Sequence, residues 1–167
     1  MAADRWTQEQ FDEMSWHDNY VHAMRLVEGE HGSGELVLDL DYIREWIRAE
    51  DGFEFRILPV SLRFVEVTGL RISLDYASPG AAMGPFSIDD IERRTEARGR
   101  YIAQVWKIAV GWPRGEISFE ARGFEQLGHG PELVVPRQYL LPQERSGRSS
   151  PSPPSSSPYR PRLPTPC

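Results

Sequence analysis

Strict period-two alternation is the feature that most constrains this chain. Leu36, Leu38, Leu40 and Tyr42 alternate with Glu35, Val37, Asp39 and Asp41. Leu70, Ile72, Leu74 and Tyr76 alternate with Arg71, Ser73 and Asp75, and Ile117, Phe119 and Ala121 with Glu116, Ser118, Glu120 and Arg122. Successive side chains of a strand point to opposite faces, so each run predicts a strand with one buried and one solvated face. Tyr20 to Glu28, Phe53 to Leu58, Val60 to Val67 and Tyr101 to Val110 read as strands buried more evenly, and Glu132 to Val135 as a short last one. Gly123 sits where Phe124 breaks the alternation, which predicts a β-bulge there. Tyr42 to Arg48 and Ser87 to Arg94 fit either a helix or a strand.

The connections are short. Gly29 to Gly34, Thr68-Gly69 and Gly111 to Gly115 read as hairpin links, and segments long enough for helical crossovers are scarce. The expected fold is therefore mostly β: a single antiparallel β domain, a sandwich or a curved sheet, with a short N-terminal helix and a disordered C-terminal tail. The helix is expected over residues 7 to 14. Thr7 and Gln10 stand at capping-box spacing, and Trp6 and Phe11 at the positions of a hydrophobic staple.

Composition divides the chain at residue 142. Residues 1–142 carry the globular pattern, and residues 143–167 are dominated by Pro, Ser and Arg. Such a segment cannot bury a core and is expected to be disordered with polyproline II character. Pro151 to Pro154 and Pro161 to Pro164 match P-x-x-P, a pattern any proline-rich tail produces. Without that segment the domain holds 15 basic against 24 acidic residues, a net charge of −9. That acidity argues against binding nucleic acid. Lys107 is the only lysine, and the arginine-for-lysine usage reads as the codon bias of a GC-rich genome. No run of about 18 apolar residues occurs, so no membrane span is expected. The N-terminus lacks a signal-peptide pattern, and cytoplasmic residence is the expectation. The single cysteine, Cys167, permits neither an intrachain disulfide nor a cysteine-based zinc site.

The densest polar cluster is Ser15 to His22. His17, Asp18, Asn19 and His22 precede or open the first long strand, and Asp39 and Asp41 end the strand that returns beside it. A hairpin brings those ends together, so His17, His22, Asp39 and Asp41 could converge, and His with Asp can bind a metal or move a proton. The structural alternative is that Asp18 and Asn19 satisfy turn amides, His22 is a half-buried strand residue, and Asp39 and Asp41 are solvated charges. Trp112, beside Pro113 at a hairpin tip, is a candidate exposed anchor, and Trp46 is expected to flank a loop; Trp16 and Trp106 are expected in the core. No G-x-S-x-G elbow, phosphate-cradling glycine loop or H-E-x-x-H motif occurs, and no cofactor is expected.

Trp16-His17-Asp18 followed by His22, then Leu36 to Asp41 and Gly115 to Phe124, resembles small bacterial β proteins that include immunity proteins of polymorphic toxin systems. The resemblance spans about residues 11 to 136 and implies a compact β domain that binds a toxin, with no catalytic residues to carry over. The first reading is thus a non-enzymatic protein-binding domain with a basic partner, its contacts drawn from His17, Asp18, Asn19, His22, Asp39, Asp41 and Trp112. A metal-dependent hydrolase-like enzyme built on His17, Asp18, His22, Asp39 and Asp41, and a β domain holding a small apolar ligand, are the alternatives.

Overall fold

A computed structural model describes residues 4–146. Nine strands form one antiparallel sheet: β1 (Arg5–Thr7), β2 (Tyr20–Glu28), β3 (Gly34–Ala49), β4 (Gly52–Leu74), β5 (Phe86–Arg98), β6 (Tyr101–Trp112), β7 (Gly115–Glu120), β8 (Gly123–Gly128) and β9 (Leu133–Val135). Their order is β1-β8-β4-β3-β2-β5-β6-β7, and β7 pairs back onto β4. The sheet therefore curves until it closes on itself. No helix among the described residues is long and apolar enough to cross a membrane. The segment from Gly147 onward, with its P-x-x-P matches, lies outside the described residues.

β4 is the spine. Its 23 residues keep β3 on one side from Gly52 to Val67, and on the other meet β9, β8 and β7 in succession. The sequence reading broke this strand at Pro59 and again at Thr68-Gly69, and both breaks are corrected. Pro59 accepts the His129 amide at 2.8 Å, so its carbonyl, and with it the missing N–H, faces the gap between β8 and β9. No donor is lost toward β3. Gly69, at φ +60°, sits in a bulge between Thr68 and Arg71 that turns β4 from β8 to β7. No bulge forms at Gly123, which opens β8 in register opposite Val65; the alternation breaks there because Ala121 and Arg122 separate β7 from β8. The two ambiguous stretches are both strand, within β3 and β5.

The N-terminal helix is a 3-10 turn, Gln8–Glu13, not an α-helix. Its capping box forms as read: Gln10 Oε1 accepts the Thr7 amide at 2.8 Å. Six residues, fewer than two α-helical turns, separate the Thr7 cap from Met14 before Trp16 enters the core. Phe11 packs edge-on to Trp106 (5.5 Å between rings), and Trp6 against Tyr42 (5.6 Å). The interior is filled by Phe64, Trp106, Phe119 and Phe124 with Leu36, Leu38 and Leu40, each at most 2% exposed. Trp16 and Trp106 are core residues, as expected.

A second, smaller core lies on the outer face of the β3–β4 pair. Ile43, Phe55 and Ile57 are covered there by Val135 and Leu140. Leu140 belongs to a C-terminal strap that ends in a short helix, α1 (Pro142–Arg145). The strap decides how the candidate site is built.

Candidate functional site

Asp41 is the centre of the first cluster. It faces outward on β3, opposite Tyr20 of β2, yet none of its side chain is exposed. The strap covers it. Asp41 Oδ2 accepts the Leu140 amide at 2.7 Å and lies 2.7 Å from His22 Nε2, while Oδ1 accepts from Arg145 Nη1. Arg145 also donates to Asp39, whose same oxygen stands 3.3 Å from His129 Nε2. A buried carboxylate is costly unless it is paired and hydrogen-bonded, and these contacts do both. His22 reaches Asp41 because it is the extra residue of a bulge: Val21 pairs Leu40 and Ala23 pairs Asp39, with His22 between.

This corrects two sequence expectations. Arg145, assigned to the disordered tail, is 12% exposed and held by Asp39 and Asp41. Asp39 and Asp41 are accordingly not free acidic contacts for a basic partner, because the chain's own arginine occupies them. Nor do the four groups converge. His22, Asp39 and Asp41 meet through Arg145, whereas His17 turns away and its Nδ1 lies 2.9 Å from the Asp89 carbonyl of β5. Among the described residues no group of three or more His, Cys, Asp or Glu side chains is placed to hold one metal ion. A cation at Asp39 and Asp41 would have to displace the guanidinium.

Asn19 and Asp18 do the work of a turn. The Asp18 amide donates to Ile88 O at 2.9 Å, the Ile88 amide returns a bond to Asn19 O at 2.9 Å, and Asn19 Oδ1 accepts from Ile43 N at 3.3 Å. Asp18 is in the left-handed region at φ 61°, which aspartate tolerates better than most residues. Its carboxylate receives Gln138 Nε2 from the strap at 3.1 Å.

The second cluster is the open one. Tyr20 pairs with both Asp41 and Ser87, and Ser87 pairs with Trp112. Directly opposed residues of antiparallel strands point to the same face, so Asp41, Tyr20, Ser87 and Trp112 form a transverse row on the outside of four strands. Tyr139 of the strap lies against Tyr20, with rings 5.1 Å apart, and Trp112 is 52% exposed. Between the aromatics the floor is small: Ser87, with Gly111 beside it. A Cβ added at Gly111 would stand 3.5 Å from Ser87 Oγ and 3.7 Å from Asp89 Cβ. Ser87 Oγ also accepts the Trp112 amide at 3.1 Å, which fixes the tryptophan backbone.

The rim of this row is acidic. A register shift between Ile88 and Asp90 puts Asp89 in a bulge, where Asp89 and Asp90 are exposed side by side. With Asp18 they surround His17. The Asp89 carbonyl, opposed by partial desolvation and helped by the charges of Asp18, Asp89 and Asp90, holds the His17 pKa above its ordinary value of 6.5. Sequence reasoning found Asp18, His17 and Trp112 but missed Ser87, Asp89, Asp90 and Tyr139. The β2–β5 pairing that unites them joins segments far apart in the chain, and no local pattern announces it.

A scan of protein-family models returns no match for this chain, nor does a search of curated proteins.

Proposed function

We propose that this domain is a non-enzymatic protein-binding module, immunity-like in that it masks a basic partner, and that its contact surface is the Tyr20–Ser87–Trp112 row with the Asp18, Asp89 and Asp90 rim. The observation that carries this reading is the exposed Trp112 placed beside a small-residue floor and an acidic bulge, while the His22/Asp41 cluster is closed by Arg145. Exposed tryptophan and tyrosine are the side chains that most often anchor an interface, and a rim of one sign steers a partner of the other. The hydrolase-like alternative loses its constellation, because His17 faces Asp89 and not Asp41.

Native mass spectrometry of the full chain, purified gently from its own host, tests this. The expected result is a basic protein at fixed stoichiometry that is lost from the Trp112→Ala and Asp89→Lys variants. A complex indifferent to both substitutions, or a stoichiometric metal or small molecule instead of a protein, overturns the reading.

A further inference from the structure

We propose that the chain's own Pro/Arg-rich segment, residues 147–167, is a tethered ligand of the Tyr20–Ser87–Trp112 row, so that the recognition surface is regulated from within the same molecule. This inference rests on the reading of that row as a recognition surface and adds what occupies it when no partner is bound.

Three observations converge on it. The first is where the described chain ends. Arg145 is anchored on Asp41, and Asp41 is the first member of the row that runs through Tyr20 and Ser87 to Trp112. The segment that follows is thus tethered to a residue held at one end of the row. Three strand spacings of about 4.8 Å separate Asp41 from Trp112, about 14 Å in all. At about 3.1 Å per residue in polyproline II, five residues cover that span, and 21 residues follow Ser146.

The second is charge. Residues 147–167 contain Arg148, Arg160 and Arg162 and no acidic residue or lysine, whereas the row is edged by Asp18, Asp89 and Asp90. The third is the chemistry of the surface. Proline-rich segments dock between aromatic side chains, whose flat faces accept the rings, while an acidic residue alongside reads an arginine. Tyr20 with Tyr139 on one side and Trp112 on the other, over Ser87 and Gly111, provide that arrangement. Arg160-Pro161-Arg162-Leu163-Pro164 supplies both partners of it, including cation–π contacts for Trp112. Tethering raises the local concentration of such a ligand to the millimolar range, about what a weak contact needs to be populated.

The single cysteine makes the test direct, since a nitroxide on Cys167 of the full chain labels the end of this segment alone. The expected result is paramagnetic loss of the Trp112 indole and the Ser87 and Asp89 amide resonances, with Ile102 at the far end of β6 unaffected. The loss is expected to vanish in the Arg160→Glu/Arg162→Glu chain. It is also expected to be absent when spin-labelled, isotopically unlabelled chain is mixed with isotopically labelled Cys167→Ser chain. Unperturbed row resonances, broadening spread evenly over the surface, or equal loss in the mixed sample, which is a second copy's tail, each overturn the proposal. Its failure is separable from that of the binding reading. Row broadening in a chain whose partner ignores Trp112→Ala sinks the binding reading alone, and a Trp112-dependent partner without row broadening sinks this one alone.

Discussion

His22 Nε2 and Asp41 Oδ2 lie 2.7 Å apart, on the carboxylate oxygen that also takes the amide of Leu140. A bulge in one strand is thereby tied to the strap that covers the next. Because Asp41 is fully buried and its other oxygen accepts from Arg145, removing its carboxylate strands three donors at once: the Leu140 amide, His22 Nε2 and Arg145 Nη1. Asp41→Ala is expected to destabilise the protein by about 3–5 kcal/mol. A urea midpoint within error of the parent would show that the strap is not held by this carboxylate.

Leu140 is the apolar half of the same attachment. It is 0% exposed among Ile43, Phe55, Ile57 and Val135. Leu140→Ala is expected to cost about 2–5 kcal/mol and to speed hydrogen exchange of the Leu140 and Leu141 amides before any change in the β6 core. Uniform acceleration across the whole domain would mean that strap and sheet open as one unit.

The pH dependence of the rim has a defined sign. The His17 pKa is raised above 6.5 in the folded protein, so its stabilising contribution is complete below that value and is lost as pH rises through the folded-state value. The stability difference between the parent and His17→Gln is therefore expected to shrink from about pH 5.5 to about pH 8. His17 is 58% exposed, which keeps the effect small. A difference that grows with pH would reverse the assignment.

Trp112 and Asp89 are exposed and lie outside the core. Trp112→Ala and Asp89→Lys are each expected to change stability by no more than about 0.5 kcal/mol while removing partner binding. Thermal unfolding measured beside the binding assay separates the two effects.

β2 beyond Val21 pairs only with β3, and Leu26 on it is 63% exposed. An open strand edge carrying exposed apolar side chains is a template for aggregation. Leu26→Lys is expected to raise the concentration at which the protein stays monomeric, read by light scattering. An unchanged threshold would place the self-association edge elsewhere.

Much of this architecture was legible from side-chain period. Leu36 to Tyr42 and Ile117 to Ala121 read as strands because their alternation is strict, and the capping box at Thr7 read as a helix start because its chemistry is local. Pro59 and Gly69 misled for a physical reason. Each is a breaker in isolation, but Pro59 falls where β4 needs no donor and Gly69 where it must bend. The site was half legible. Asp18, His17 and Trp112 stand out by type and exposure, whereas Arg145 hides in a composition that looks like tail. The one local signal for it was Leu140-Leu141 followed by Pro142 and Glu144, an apolar anchor with a helix start behind it.

The sheet closes through a narrow seam. Within the strands, Tyr20 with Ser87 and Val21 with Phe86 join β2 to β5, and the Asp18 and Asn19 backbone bonds to Ile88 extend the junction by one more step, while β4 runs unbroken through both halves of the molecule. So short a seam is the cheapest place to part the wall, with β4 as the hinge. The Tyr20–Ser87–Trp112 row crosses that seam at right angles. Whatever lies along the row therefore acts as a staple: it prefers the closed form, and by mass action its binding energy is added to the work of prising the barrel open.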